Sequence, residues 1–269
     1  MLLNVEHKTS YTYSEPVSYT IQQLRLTPQD GLGQRVQRWE IRVNGHLHAF
    51  QDTHGNAAHT LVLDTPHEAI NIVASGVVET GLEMPALAHS LPMDIYLRST
   101  PLTMADDGLR EFATGFASSA LDDTALELMM HAILERVPYI KGSTAVETSA
   151  ARAFELGAGV CQDHAHIFVA CCRSLGLPAR YVSGYLFTED GSLMQSHAWA
   201  DVCVADSWLS FDVSNSCRTG DTHVRLAVGL DYRDACPVSG IRSGGGLETM
   251  GTTVLVNNML IAQSQQVQQ

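Results

Sequence analysis

Alternation of apolar and polar residues dominates the chain before residue 100. In the segment 37–46, Trp39, Ile41 and Val43 alternate with polar neighbours, as they do in a half-buried strand. Further segments of strand length are rich in Tyr, Thr, Ile and Val: 9–14, 19–28, 57–65 and 69–80. Turn-forming pairs such as Asn44-Gly45 separate them. Short strands at this spacing predict a β-sandwich-like unit, which we assign to residues 1–98.

A helical period replaces this alternation after residue 100. The segment 122–137 carries apolar side chains at helical spacing: Leu126, Met129, Met130, Ile133 and Val137. Shorter helices are predicted over 107–117 and 149–156. The segment 161–175 is apolar on most sides, which predicts a buried central helix that ends at Gly176.

Strand patterns return after this helix, over 179–187, 197–204, 208–215 and 247–258. We therefore expect an α+β fold, in which residues 99–269 form a second unit. The segment 81–103 contains three prolines and has no clear period, which predicts a connection between the two units.

Charge and composition exclude several classes of function. The formal net charge is −13, which argues against binding to nucleic acids or to anionic membranes. No apolar run approaches the length of a membrane span, and residues 1–14 lack a signal-peptide pattern. We therefore expect a cytoplasmic protein. The six cysteines are too sparse for a disulfide scaffold and include no CxxC pair, so reduced thiols are predicted.

Cys161 is the cysteine whose surroundings indicate reactivity. It follows Gly157 and Gly159 at the point where a loop becomes a helix. Free N–H groups and the helix dipole favour a thiolate there, and the same N–H groups can hold an oxyanion. Cys171 and Cys172 lie in the apolar middle of the helix and are interpreted as core residues.

Two downstream strands offer the base and the orienting group that a nucleophilic thiol needs. His197 opens the strand 197–204, and Asp212 lies on the next strand, on the same face as Trp208 and Ser210. A tight turn at Asp206-Ser207 would leave Asp212 four residues away from His197 along the ladder, roughly 13 Å. The arrangement Cys161, His197, Asp212 therefore predicts a longer loop or a bulge in this hairpin.

Other roles for these residues remain open from the sequence. Cys161, His164 and His197 could bind zinc, although no set of four spaced ligands is evident, and we predict no metal and no cofactor. Tyr185 or Gln162 could assist an oxyanion. Asp163 is expected to act electrostatically at the helix N-terminus, and Trp199 to be a core residue. The other histidines, including His7 and His223, show no pattern.

The sequence resembles the transglutaminase-like superfamily, whose members have a papain-like fold. The motifs that carry the resemblance are GVCQDHAHIFVACCRSLGLPARYVSGY, SHAWADV and WLSFDVSN. YTYSEPVSYTIQQLRLTPQD and DTHGN resemble the β-rich N-terminal domain of the bacterial two-domain members. The resemblance implies that Cys161 is the nucleophile, His197 the base and Asp212 the orienting residue.

The expected reaction is acyl transfer at a peptide or carboxamide bond. We favour hydrolysis of a peptide or protein substrate, because indiscriminate cross-linking of Gln to Lys would damage the cell that contains it. A cross-linking transglutaminase, a Cys-His-Asp acetyl transferase and a binding scaffold with a vestigial triad are the alternatives.

Overall fold

The computed structural model describes residues 1–84, 91–117, 122–189 and 196–259. The first part of the chain forms strands β1 (Leu2–Leu24), β2 (Gln34–Val43), β3 (His46–Gln51), β4 (Ala57–Leu63) and β5 (His67–Thr80). A 3₁₀ helix (Met93–Leu97) and helices α1 (Asp107–Thr114), α2 (Asp123–Arg136), α3 (Ala150–Leu156) and α4 (Cys161–Ser174) follow. The remaining elements are β6 (Ala179–Leu186), β7 (His197–Val204), β8 (Ser207–Asp212), β9 (Cys217–Arg218), β10 (His223–Gly229), α5 (Tyr232–Ala235), β11 (Val238–Gly244) and β12 (Glu248–Asn258).

The first sheet is organised by β1, whose 23 residues reach from one end of the sheet to the other. The strand order is β2-β5-β1-β4-β3, and β11 and β12 also pair with β1. The first half of β1 lies between β5 and β12, and its second half lies between β4 and β11. The result is a nearly closed sheet around an apolar core that includes Leu3, Val5, Ile70 and Ile72. This confirms the predicted β-rich unit.

The end of the described chain does not follow the predicted division at residue 98. We expected residues 99–269 to form one unit, but β11 and β12 hydrogen-bond to β1 along most of its length. Residues 238–258 are thus part of the N-terminal sheet. The chain leaves this sheet after β5, forms the α/β part and returns to the sheet at β11.

The second sheet has the strand order β10-β6-β7-β8-β9, and α4 packs across β7 and β6. Helices α1, α2 and α3 pack on α4, so α4 is central, as its apolar pattern predicts. Ile167, Phe168 and Val169 are fully buried. Cys171 and Cys172 are core residues as expected, and burial raises the pKa of Cys171 to about 12. The α+β fold class is confirmed.

Side-chain amides attach the two sheets to each other. Asn56 exchanges two hydrogen bonds of 2.8 Å with the backbone of Val228 in β10. Gln34 does the same with the backbone of Arg225, at 2.8 and 3.0 Å. Each amide satisfies backbone groups that would otherwise be buried without a partner. These contacts hold one edge of the second sheet against the first.

Candidate active site

The N-terminus of α4 is shaped by the residues that precede Cys161. Gly157 adopts a left-handed conformation (φ 62°) and ends α3. The Asp163 carboxylate accepts the backbone N–H of Val160 at 2.8 Å and the Thr144 hydroxyl at 2.6 Å. A side chain at Gly159 would collide with Asp163 at 2.8 Å, which explains the glycine. Cys161 is thereby fixed as the first residue of α4.

Asp163 has a hydrogen-bonding role beside the electrostatic role that we expected. Burial raises its pKa, in opposition to the hydrogen bonds that it accepts. Its main contribution is to close the turn before Cys161 as a capping residue.

His197 lies between Cys161 and Asp212 at the start of β7. Its Nε2 donates to Oδ2 of Asp212 over 2.6 Å, and the carboxylate is fully buried. The Cys161 sulfur is close enough to this ring to contribute to the raised pKa of His197. Because Nε2 is directed at Asp212, Nδ1 is the ring nitrogen that remains for the sulfur. The imidazole thus lies between the thiol and the carboxylate.

The charges around this ring favour an imidazolium. Burial alone would lower the pKa of His197, but hydrogen bonds to Asp212 and Cys161 outweigh burial and raise the pKa to about 10. Burial would raise the pKa of Asp212. The hydrogen bonds that His197 and His223 donate outweigh burial and hold the pKa of this carboxylate well below its usual range. A protonated ring between a sulfur and a carboxylate is placed to transfer its proton to a group bound at Cys161.

The hairpin that carries His197 and Asp212 contains neither the longer loop nor the bulge that we expected. Ala205 and Asp206 form a two-residue turn with positive φ at both positions, and Ser210 pairs with Asp201 in a regular ladder. This register places Asp212 level with Trp199, two residues from His197 on the same face. Such diagonal neighbours lie roughly 7 Å apart, which two side chains can bridge. The expectation was wrong because the turn lies one residue earlier than the Asp206-Ser207 turn that we assumed, which moves Asp212 two residues closer to His197, and diagonal side chains bridge the remaining distance.

Asp212 has two further partners that the sequence pattern did not indicate. His223 Nε2 donates to the same Oδ2 over 3.0 Å, and Asn215 Nδ2 donates to it over 2.7 Å. The backbone N–H of Gly220 donates to Nδ1 of His223, so the ring proton of neutral His223 is on Nε2. Three donors therefore converge on one oxygen and orient the carboxylate towards His197.

Trp199 packs beneath both histidines. Its ring centroid lies 6.2 Å from that of His197 and 5.3 Å from that of His223. Gly184 on β6 provides the space, because a Cβ there would lie 2.4 Å from the indole. The indole is 1% exposed, so Trp199 is a core residue as expected.

The structure contradicts the zinc alternative built on Cys161, His164 and His197. Both ring nitrogens of His164 are occupied: Nε2 donates to the Val137 carbonyl at 2.7 Å, and Nδ1 pairs with the Ser214 hydroxyl at 2.8 Å. The side chain is fully buried. His164 therefore links the end of α2 to the segment after β8 and is not directed at the thiol.

His197, Asp212 and His223 are close enough together to be considered as metal ligands. Two observations speak against this use. Nε2 of His223 carries a proton, as the Gly220 contact shows, whereas a metal ligand needs a free lone pair. The 2.6 Å separation of His197 and Asp212 is also shorter than the roughly 3.3 Å between two ligands of one zinc ion. The group fits a hydrogen-bonded cluster.

Neither side chain considered for oxyanion binding is free to turn. The Tyr185 hydroxyl is buried and hydrogen-bonds to His7 Nδ1 at 2.7 Å. The Gln162 amide donates to the Val146 carbonyl at 2.8 Å. The backbone N–H groups that open α4 at Cys161 are therefore the remaining candidate donors.

Two family models match the chain. Residues 3–79 match the bacterial transglutaminase-like N-terminal region, and residues 110–213 match the transglutaminase-like superfamily. Together the matches cover more than half of the chain, and the second contains Cys161, His197 and Asp212.

Related proteins match over nearly the same length. An uncharacterized protein of Mycobacterium leprae is 28% identical over 276 residues, covering 96% of this chain and 99% of that protein. One from Mycobacterium tuberculosis is 26% identical, covering 88% and 86%. A solved structure from Cytophaga hutchinsonii, described as a candidate cysteine protease, superposes with a TM-score of 0.79. It is 21% identical and covers 96% of this chain and 91% of that one, so it shows a common fold.

No helix in the described part of the chain is long and apolar enough to cross a membrane.

Proposed function

Since the chain belongs to the transglutaminase-like superfamily, we propose that it is a hydrolase of peptide or carboxamide bonds that uses Cys161 as its nucleophile. In this proposal His197 transfers the proton and Asp212 orients the imidazole. The observation that carries the proposal is the His197 imidazole between Cys161 and Asp212, bonded to Asp212 over 2.6 Å and with its pKa raised to about 10.

The reaction begins when the Cys161 thiolate attacks the substrate carbonyl carbon, and the carbonyl π electrons move to oxygen. Backbone N–H groups at the start of α4 stabilise this oxyanion. His197 then donates its Nδ1 proton to the substrate nitrogen as the C–N bond breaks. An amine or ammonia leaves, and a thioester remains on Cys161.

Water resolves the thioester in the second half of the reaction. Neutral His197 takes a proton from water as the oxygen attacks the thioester carbon. The C–S bond breaks, the substrate leaves as a carboxylic acid, and the thiolate–imidazolium pair is restored. Asp212, held by His223 and Asn215, keeps the ring aligned through both steps.

The first experiment tests the nucleophile. Iodoacetamide at neutral pH should label Cys161 ahead of the other five cysteines, and peptide mapping by mass spectrometry reads the site. Buried Cys171 serves as the internal reference, since its raised pKa keeps it a thiol. Labelling of Cys171 or Cys172 before Cys161 would contradict the assignment, and a non-catalytic scaffold would become the better explanation.

The second experiment tests the acceptor. Peptide and amide substrates are incubated in ¹⁸O-labelled water, with and without glycinamide as a competing primary amine. Hydrolysis places one ¹⁸O atom in each product carboxylate. If glycinamide is incorporated in preference to water, the enzyme is a cross-linking transglutaminase instead.

A further inference from the structure

A cavity of about 390 Å³ lies between the N-terminal sheet and α5, next to the candidate active site. Its wall includes Ser196, the residue directly before His197. It also includes Tyr232, which packs with Cys161 against the same small cluster of buried residues around Ala198. The volume is in the range of sites that hold small ligands or single side chains.

The described residues that line this cavity include no Asp, Glu, Lys or Arg. His7 is held by Tyr185 and Thr9, and burial lowers its pKa to about 4, so its ring is neutral. Burial, followed by the charge of Glu248, raises the pKa of Tyr11 to about 12. The cavity is therefore uncharged at neutral pH.

One phenol group supplies a free hydrogen-bond donor to this space. The Tyr11 hydroxyl lines the cavity and has no hydrogen-bond partner among the described residues. The Tyr232 hydroxyl is already engaged, because it lies 3.2 Å from the Cys236 sulfur, whose single proton is also directed at the Val238 carbonyl at 3.0 Å. Tyr11 is close enough to Tyr232 to affect its ionisation. Met250, which pairs with Tyr11 across β1 and β12, adds apolar surface.

We propose that this cavity is a substrate subsite for an uncharged side chain next to the bond that Cys161 attacks. The Tyr11 hydroxyl donates to an acceptor on that side chain, as Asn, Gln, Thr or Tyr would offer. A charged side chain would lose its hydration there without gaining an ion partner. Glu248, whose charge reaches Tyr11, is already paired with Arg242 over 3.0 Å, so it is not a free partner for a Lys or Arg side chain. This inference rests on the proposed function and adds the class of substrate residue.

The consequence is that the N-terminal sheet takes part in recognition. Tyr11 lies on β1 and Met250 on β12, whereas Cys161 and His197 lie on elements of the α/β part. The return of β12 to the first sheet thus completes a wall of the subsite.

The test uses the full chain and a peptide library prepared from a digested proteome. Mass spectrometry reads both cleaved peptide bonds and deamidated side chains, and gives residue frequencies on either side of each reacted bond. The wild-type protein should show depletion of Asp, Glu, Lys and Arg at one flanking position by about fivefold or more, matching the cost of an unpaired buried charge.

Matched variants connect this preference to the cavity. Tyr11→Phe should lower kcat/KM on the best uncharged polar substrate about five- to tenfold, mainly through KM, since it removes one hydrogen-bond donor. The rate of Cys161 alkylation by iodoacetamide should stay the same, because iodoacetamide is too small to need the subsite. Tyr13→Phe is the control, since Tyr13 is buried on the same strand but does not line the cavity.

A charge placed in the cavity should change the preference. Met250 is 59% exposed, so Met250→Glu is compatible with folding and should raise the frequency of Lys and Arg at the selected position. Leu255→Glu on the same strand, outside the cavity, should leave it unchanged.

The outcomes separate the two proposals. Reaction without any selectivity against charged residues, or equal effects of Tyr11→Phe and Tyr13→Phe, would overturn the subsite while leaving the hydrolase intact. A library that shows no reaction, with Cys161 still alkylated selectively, would overturn the hydrolase and the subsite with it.

Discussion

Two fully buried carboxylates, Asp201 and Asp212, occupy neighbouring strands of the second sheet, and their partners differ in kind. Asp201 is held by two arginines, and Asp212 by two histidines. Both carboxylates have their pKa lowered, because these partners outweigh the effect of burial. In both places the hydrogen-bonding partners offset the free energy lost when the carboxylate is buried. The difference lies in whether the partner can release a proton.

The Asp201 cluster is a fixed set of charges. Arg225 binds both carboxylate oxygens, at 2.7 and 2.9 Å, and Arg180 binds one of them at 2.9 Å. The guanidinium of Arg180 also lies 4.0 Å from the ring centre of Trp208. Arginine keeps its proton at any ordinary pH, so this cluster has one charge state. Its geometry suits a structural role that joins β6, β7 and β10.

Two histidine rings bind Asp212, just as two guanidinium groups bind Asp201, but the Asp212 cluster can change its charge. His197 connects the carboxylate to a thiol, and His223 holds the carboxylate from the other side. Histidine exchanges protons in the range where enzymes work. The comparison teaches that partner type, more than burial of the carboxylate, distinguishes a candidate catalytic cluster from a structural one.

The largest effect is expected from removing the proton carrier. His197→Ala should lower turnover about 10³-fold or more, because it removes the proton carrier between Cys161 and Asp212. Asp212 keeps its bonds from His223 and Asn215 but loses its charged partner, so the variant should stay folded with an unfolding free energy lower by about 2–4 kcal/mol. The measurements are kcat/KM on the substrate found by screening and a urea unfolding curve. Near-normal turnover in a folded variant would remove His197 from the mechanism.

A loss of stability is the main effect expected at the arginine cluster. Arg225→Met should lower the unfolding free energy by about 3–5 kcal/mol, because it leaves the Asp201 charge buried with fewer partners. Arg110→Met is the control: Arg110 forms an exposed ion pair with Asp107, and its loss should cost about 1 kcal/mol or less. Urea unfolding measures both. Equal small losses would mean that Asp201 is not a structural charge cluster.

The third prediction weakens the carboxylate without removing the side chain. Asp212→Asn should lower kcat/KM by about 10–100-fold, against ~10⁴ for the corresponding change in a serine triad. A thiolate–imidazolium pair needs less support than a hydroxyl nucleophile, and the amide oxygen can still accept from His197. The variant should remain folded. A loss as large as that of His197→Ala would show that the charge of Asp212, and not its orienting role, dominates.

These two clusters also show which features a single sequence reveals. The start of α4 at Cys161 and the faces of the strands with His197 and Asp212 follow from local patterns of glycine and alternation. Such patterns depend on neighbouring residues, and they predicted the fold class and the candidate site. The resemblance to a known superfamily then gave each residue its expected role.

Features that depend on distant residues could not be predicted in this way. His223 reaches Asp212 because β10 lies across β6 from β7, which no local pattern specifies. The pairing of β12 with β1 joins residues more than 200 positions apart. The hairpin register depends on positive φ at Ala205 and Asp206, whereas Asn-Gly or Asp-Gly is the usual sequence for that turn.

The fourth prediction concerns His223 as a positioning residue. His223→Leu should lower kcat/KM about three- to tenfold, since one donor to Asp212 is lost. His223→Gln retains a donor and should restore most of the activity. A pH profile is the readout that separates positioning from stability alone: in His223→Leu the acid limb should move to higher pH, because Asp212 loses a bond that stabilises its charged form. Equal profiles for Leu and Gln would contradict the role.

The smallest effect is a change in the ionisation of His197 when the thiol is removed. The hydrogen bond and charge of Cys161 both contribute to the raised pKa of about 10, so Cys161→Ala should lower this pKa by about one unit or more. NMR titration of the ring ¹³C resonances measures it, with His7, whose pKa burial lowers to about 4, as the internal reference.

The His197–Asp212 bond remains in Cys161→Ala, so the folded pKa of His197 should stay above the unfolded value of 6.5. The stability that this pair contributes to Cys161→Ala should then be complete below pH 6.5 and be lost as pH rises through the folded pKa. The arginine cluster should contribute equally across that interval, because arginine does not titrate there. Urea unfolding at roughly pH 6 and pH 9, in Cys161→Ala with and without Arg225→Met, compares the two. A pH-dependent Arg225→Met effect, or a His197 pKa unchanged by the loss of Cys161, would erase the distinction between the fixed and the titratable carboxylate.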